Sequence, residues 1–403
     1  MSSDAPTASL AVDGLAPGCA VEPPTVEELC AALRDANERG AAVIPWGAGR
    51  HMALGNAPAR YDVALRTAKL DCVLEYEPAD LTLGVEAGIT MGRLQALLAE
   101  RGQFLPIDAP ADATVGGVLS VGLSGPSAHA YGLPRDWLLG CRLALADGTL
   151  VKCGGRVVKN VAGYDLQKLA VGSLGTLGVI VEATFKVAPL PVAQETFLAN
   201  FPSLDAAADA ARAADERSLA LRAVALRQAE GENLAAFWLA GPHAAVERTR
   251  RELAEICAAA TTERLEADAS QGWWADVGAG LDPPSTPAGN GTALRASLPP
   301  SQVPVLLERL PLASEALAYP TTGLVLAWLA ATAAEDAVAI ASEARRLAES
   351  KGGSLVVTRA PVELKQRIDV WGNGGSALPL MRRLKQQLDP RSTLNPGRFM
   401  GGI

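Results

Sequence analysis

Residues 159–180 read KNVAGYDLQKLAVGSLGTLGVI, and how this stretch is read decides the fold. Leu166, Leu169 and Ala170 fall on one face of a short helical segment. Gly163, Gly172, Gly175 and Gly178 interrupt it, and the stretch ends in an apolar, strand-like run. Glycine costs more backbone entropy on folding than any other residue. So much of it beside core-type residues points to a main chain that turns closely around something.

The residues before this stretch have the same character. AAVIPWGAG (41–49) reads as a strand and a turn, after a helix opened by Thr25 as N-cap and stopped by Gly40. TLGVEAGIT (82–90) is a strand into a turn, followed by the helix MGRLQALLAERG. WLLGCRLALADGTLVKCG (137–154) alternates and carries Asp147-Gly148, a hairpin signal. LGVIVEATFKVAPLP (177–191) is a strand ending in a proline-marked linker. Beyond it the pattern changes to strands alternating with alanine-rich helices. The order strand, helix, strand, strand, helix, strand occurs twice, which predicts a duplicated ferredoxin-like arrangement. The loop DPPSTPAGNGT (282–292) separates the halves, and PRSTLNPGRFMGGI is a loop-like tail belonging to neither.

The chain has 403 residues, enough for two domains and a core that needs no disulfide or metal. Its net charge of −8, with no basic block, argues against nucleic acid or anionic lipid as a partner. The six cysteines are scattered, without the spacing of a zinc or iron–sulfur site, as expected in a reducing compartment. The N-terminal residues lack the pattern of a signal peptide. The longest apolar run, GLVLAWLAATAA, is too short to span a bilayer. A cytoplasmic protein is expected, reaching a membrane only through a partner. The three histidines, His51, His129 and His243, form no pair at metal-ligand spacing, so no metal site is expected.

Four loops carry the chemistry. In IPWGAGRHM, Gly47 and Gly49 follow a strand and leave successive N–H groups without a side chain in the way, a shape that takes phosphate oxygens. A tight strand-to-loop turn explains the same residues equally well. The other three loops are EPADLTLGVEAG (77–88), APADATVGGVLS (109–120) and GPSAHAYG (125–132). In each, proline sets φ and small or hydroxyl residues follow. Thr114-Val115-Gly116-Gly117 could open a helix, its N–H groups and threonine hydroxyl facing a diphosphate or the carbonyl edge of a planar ring. Four glycine-bearing loops in the half with little helix point to a ligand site.

PWGAGR, TVGGVLS, VVKNVAGYDLQKLAVGSLGTLGVIVEATFKVAPLP and LDPRSTLNPGRF, in that order, resemble the FAD-binding domain and C-terminus of the vanillyl-alcohol oxidase/p-cresol methylhydroxylase (PCMH-type) flavoproteins. The run 157–191 and the ending DVWGNGG…MRRLKQQLDP…LNPGRF are similar to the FAD-binding subunits of bacterial glycolate oxidase. The resemblance implies an α+β fold. A two-subdomain FAD-binding domain would occupy 1–191 and a ferredoxin-like cap (substrate) domain 192–388. A tail, 389–403, would return to the FAD domain.

It also implies roles for residues. Gly47, Ala48, Gly49, Arg50 and His51, after Pro45, would wrap the pyrophosphate. Thr114, Val115, Gly116 and Gly117 would line flavin and diphosphate, with Ser120 and Ser124 nearby. Gly178, Val179 and Ile180, after Gly175, would run beside the adenine, and Asn395 would approach the ring system. Pro78, Thr82, Gly88, Pro110 and Gly132 in the loops complete the expected cofactor contacts. His129 and Tyr131 lie where the family places residues by the ring and are candidate acid/base or hydrogen-bond partners, against loop packing. Trp371 is a further candidate site residue. Lys159 and Asp165 are phosphate or ribose candidates, and the pair Trp273/Trp274 faces either the flavin or the core.

Some family members attach FAD through a histidine directly after the glycine turn. Here that position is Arg50, so noncovalent FAD is expected. The catalytic hydroxyacid dehydrogenases of the superfamily carry a C-terminal histidine-rich metal motif, whereas this chain has only His243 beyond residue 200. The resemblance therefore implies partners: a second flavoprotein subunit with metal-binding histidines, and an iron–sulfur subunit. A small 2-hydroxyacid would be the substrate. A stand-alone FAD-dependent oxidoreductase and an assembly subunit without turnover are the alternatives.

Overall fold

The computed structural model describes residues 7–155, 165–229, 231–281, 291–311, 315–329 and 334–403, with the backbone alone for 278–281. Gly163 and Lys159 of the opening stretch lie outside the described residues. The chain divides into two compact units, one of residues 1–124, 133–190 and 369–403, the other of 125–132 and 191–368. The crossover at 190 falls beside the linker expected there. The returning segment begins at Asp369 rather than at 389.

The first unit holds two main sheets. Cys19–Val21, Val63–Arg66 and Val43–Trp46 form a parallel sheet with 63–66 in the centre. The helix Val26–Glu38 buries Leu29 and Leu33, and Thr25 Oγ1 accepts the Glu28 N–H at 3.2 Å as the N-cap. A five-stranded antiparallel sheet runs Val73–Glu77, Thr82–Glu86, Val179–Lys186, Leu138–Ala144, Leu150–Gly154. Asp147-Gly148 makes the hairpin as read: Ala144 pairs with Leu150, and Asp147 Oδ1 takes the Thr149 N–H at 2.8 Å. Of the helical face expected around residue 166, only part forms. The helix is Gln167–Ala170, with Ala170 in the core but Leu166 and Leu169 49% and 45% exposed. One turn of helix is too short to bury a whole apolar face.

The second unit is one eight-stranded antiparallel sheet. Each half has the expected strand, helix, strand, strand, helix, strand order, from Ala193–Phe201 to Thr261–Glu266 and from Thr292–Ser297 to Ser354–Arg359. The halves join where Leu226–Gln228 pairs with Ala316–Ala318. Trp273 and Trp274 settle into this unit's core. Trp274 stacks on Trp238 at 5.2 Å, and its indole N–H donates to Thr196 Oγ1 at 2.9 Å. Among the described residues, no helix is long and apolar enough to cross a membrane.

Candidate functional site

The site is a cleft in the first unit, about 680 Å³ with the solvent-open space at its mouth. Its walls come from five places in the sequence, one of them the single residue Thr67. Pro45 to Met52 runs from the end of the edge strand Val43–Trp46 into the turn after it, and Ala113, Thr114, Gly116, Gly117, Ser120 and Val121 belong to a second segment. Leu174, Gly175, Val179 and Ile180 form the third, and Asn395 and Arg398 the fourth. A polypeptide tail completes a wall only if something holds it. Here the tail bonds to the strand 43–46: Val43 N–H donates to Thr393 O at 2.7 Å, and Asn395 N–H to Val43 O at 2.9 Å. Asn395, at φ +47, spans to the third segment through Nδ2 on Leu174 O at 2.7 Å. Behind it Lys385 is buried, its ammonium donating to Thr176 O, Asp389 Oδ2 and Leu394 O at 3.0, 2.6 and 2.8 Å. Burial pulls its pKa down, and Asp389 opposes that pull.

The two glycine segments differ in their hydrogen bonding. Among the described residues, no protein acceptor takes the N–H of Gly47 or Ala48. In the Thr114 segment the donors are spent: Val115 on Ile89 O at 2.9 Å, Gly116 on Ala87 O at 2.7 Å and Gly117 on Thr114 Oγ1 at 3.3 Å. A helix, Val115–Val121, opens there as expected, but its first N–H groups do not face the cleft as free donors. What the segment offers is shape. A Cβ on Gly117 would meet only Thr114 Oγ1, at 3.1 Å, so the glycine leaves space in the wall that a side chain would fill. The segments touch where a Cβ on Gly47 would fall 2.0 Å from Thr114 Oγ1.

Of the residues expected from sequence, Pro45, Gly47, Ala48, Gly49, Arg50, His51, Thr114, Gly116, Gly117, Ser120, Gly175, Val179, Ile180 and Asn395 come together here. The others do not line the cleft. Val115 points into the core, and Pro78 closes a short turn whose carbonyl takes the Gln103 amide at 2.9 Å. Thr82 is a strand residue paired with Lys186, and the Pro110 carbonyl closes a turn on Ala113 N–H at 3.0 Å. Gly88 is glycine because a Cβ would lie 2.1 Å from Thr67 O. Gly178 backs onto Ala144 O, and Ser124 ends the first unit's opening segment. Asp165 makes a local pair with Lys168 at 2.8 Å.

His129, Tyr131 and Gly132 belong to the second unit. His129 Nδ1 lies 2.9 Å from Thr321 Oγ1 and 3.9 Å from Asp215, and burial pulls its pKa below the usual histidine value against the raising effect of that carboxylate. Arg222 spans the Tyr131 and Trp238 rings at 5.9 and 3.9 Å and donates to Ser127 Oγ at 3.0 Å. These contacts anchor residues 125–132 within that unit. Trp371 is also structural: its indole N–H donates to Arg398 O at 2.9 Å, and its ring packs on Phe399.

Sequence reading missed Trp46, Met52, Thr67, Ala113, Val121, Leu174 and Arg398. Several flank quoted motifs and follow from them. Arg398 stands three residues after Asn395 in the quoted tail, yet nothing in NPGRF says that the arginine turns inward. Trp46 is set by its indole N–H on Tyr61 OH at 2.5 Å. Among the described residues the cleft walls hold two arginines, Arg50 and Arg398, and no carboxylate.

An FAD-binding-domain family matches residues 17–154, and the C-terminal domain of FAD-linked oxidases matches 364–399. Glycolate oxidase subunit GlcE of Escherichia coli is 32% identical over 338 residues, 81% of this chain and 84% of that one. The chain belongs to the PCMH-type FAD-linked oxidase family. Its cofactor is FAD. Glycolate oxidase subunit GlcD of Bacillus subtilis and a probable mitochondrial D-lactate dehydrogenase of Danio rerio are each 33% identical over about half of this chain. Those matches span only 41% and 39% of the relatives. A solved structure of alkyldihydroxyacetonephosphate synthase shares the fold, with a TM-score of 0.72 over 95% of this chain and 77% of that one, at 19% identity. The expected α+β, PCMH-type fold is thus the observed one. The residues fit the cofactor: unclaimed donors at Gly47 and Ala48, an unfilled wall at Gly117 and a cationic lining.

Proposed function

We propose that this chain is the FAD-binding subunit of a 2-hydroxyacid oxidase or dehydrogenase complex, oxidising glycolate to glyoxylate, with electrons leaving through an iron–sulfur partner. The likeness to GlcE over most of both chains carries this reading. A second flavoprotein subunit with metal-binding histidines, of the kind the sequence resemblance implies, would complete the complex. The cytoplasm is the proposed site of action. The unit of residues 1–124, 133–190 and 369–403 would hold the cofactor.

FAD supplies the electron-accepting chemistry when bound. The chain's own residues bind and orient it. Gly47 and Ala48 would donate N–H groups to phosphate oxygens, which their missing or small side chains leave reachable. Gly117 would let a flat surface lie against the wall of the second segment. Asn395 keeps one side-chain nitrogen on Leu174 O and its main-chain N–H on Val43 O, and so would hold the closing wall in place. Attachment is noncovalent in this reading, because the residue after Gly49 is Arg50, which cannot form the histidyl bond.

The purified chain should be yellow, and acid precipitation should release FAD into the supernatant. Colour kept in the pellet would refute noncovalent binding. Glycolate should bleach the flavin of the isolated chain slowly or not at all, and rapid stoichiometric reduction would refute dependence on a partner.

A further inference from the structure

We propose that Arg398 is the fixed cation that balances the negative charge of the cofactor's diphosphate. The inference rests on the reading of the cleft as the FAD site and assigns a role that the glycine motifs do not contain. Arg398 is 2% exposed and lines the cleft. Its guanidinium donates to Met52 O at 2.7 Å, Leu54 O at 2.6 Å and Asn395 Oδ1 at 3.3 Å. All three acceptors are neutral, and among the described residues its buried Nε has no partner. Among the described residues no carboxylate touches it, and Asp13 and Tyr61 are the titratable groups that act on it, through space. An uncompensated buried cation is costly, and a group left so is stabilised by an anion that arrives later.

The position of the guanidinium favours the diphosphate as that anion. Met52 and Leu54, which hold it, directly follow the turn whose Gly47 and Ala48 N–H groups meet no protein acceptor among the described residues. Main-chain donors and a guanidinium thus line the same cleft, whose walls among the described residues hold no acid. Burial draws the Arg398 pKa down to about 10, with Asp13 and Tyr61 pulling it only partly back, so a bound dianion would restore the ordinary value.

The test uses the full chain freed of flavin and titrated with FAD and with riboflavin, which has the ring but no diphosphate. Arg398→Gln removes the charge while keeping an amide donor for the carbonyls. It should weaken FAD on the order of 10- to 100-fold, the range of a charge-assisted hydrogen bond, and leave riboflavin unchanged. Arg398→Lys should recover most of the FAD affinity at neutral pH. It should lose it again as pH rises toward 10, because a buried ammonium gives up its proton well before a guanidinium. Tyr61, pushed above its usual value by burial, does not titrate in that window. Wild-type FAD affinity in the glutamine variant, parallel losses for FAD and riboflavin, or a pH-independent lysine variant would each overturn the role. If the glutamine variant does not fold, the lysine profile decides alone. A wild-type chain that takes up no FAD would instead refute the cofactor site itself.

Discussion

The turn at Gly47–His51 and the step at Thr114–Gly117 look alike in sequence, since each sets two glycines among small or polar residues after an extended segment. In the fold they have opposite duties. Among the described residues the turn leaves the N–H groups of Gly47 and Ala48 without a protein acceptor, while the step spends its donors on Ile89, Ala87 and its own threonine. A glycine pair can therefore mark either a donor surface or an absence of bulk. Which of the two it is depends on whether a neighbouring chain already supplies acceptors.

Gly117→Val should give the largest effect and break the comparison most directly. If the step works by shape, the isopropyl group fills the cleft and FAD affinity falls more than about tenfold, as overpacking of a fitted site does. Valine is at least as good a helix residue as glycine, which offsets the 3.1 Å approach of its Cβ to Thr114 Oγ1, so the variant should stay folded in a thermal melt. Normal flavin content in a folded variant would refute the placement of the cofactor against this wall.

Gly47→Ala should act differently, through folding. Its Cβ would land on Thr114 Oγ1, at a cost of about 1–3 kcal/mol in denaturant unfolding. Thr114→Ala alone should lose about 1 kcal/mol with the N-cap. The double variant should be more stable than the sum of the two losses, because the hydroxyl that clashes is gone. Additive losses would show that the two segments do not meet there.

The smallest effect is expected in the second unit, where His129 Nδ1 lies 2.9 Å from Thr321 Oγ1. Its pKa lies below the unfolded value, so the unfolded chain binds the extra proton. Stability should therefore fall as pH drops through about 6.5 and below. His129→Gln should flatten that acid limb in a thermal melt. A variant with the same limb would exclude the histidine as its source.

Much of this architecture is legible in residue pattern because the signals are local. Thr25 caps its helix, Asp147-Gly148 turns its hairpin, and the strand–helix order repeats after residue 191, each by chemistry contained in a few neighbouring residues. The pattern misleads where a residue's surroundings come from far away in the chain. Gly88 reads as a ligand glycine but is glycine because a Cβ would run into Thr67 O, and Trp371 reads as a cleft residue and is bonded to the tail. His129 reads as a flavin neighbour from the sequence, and in the fold its Nδ1 lies against Thr321 Oγ1.

The kinds of element, the duplicated half and the glycine segments that line the cleft are all written in the residue order, since propensity, capping and turn chemistry act over a few residues. Folding settles the rest: which glycines keep open donors, that the two repeats fuse through residues 226–228 and 316–318, and that Arg398 turns inward behind the first turn. Each of those depends on where a distant carbonyl lies, and a hydrogen bond between residues hundreds of positions apart leaves no periodic trace along the chain.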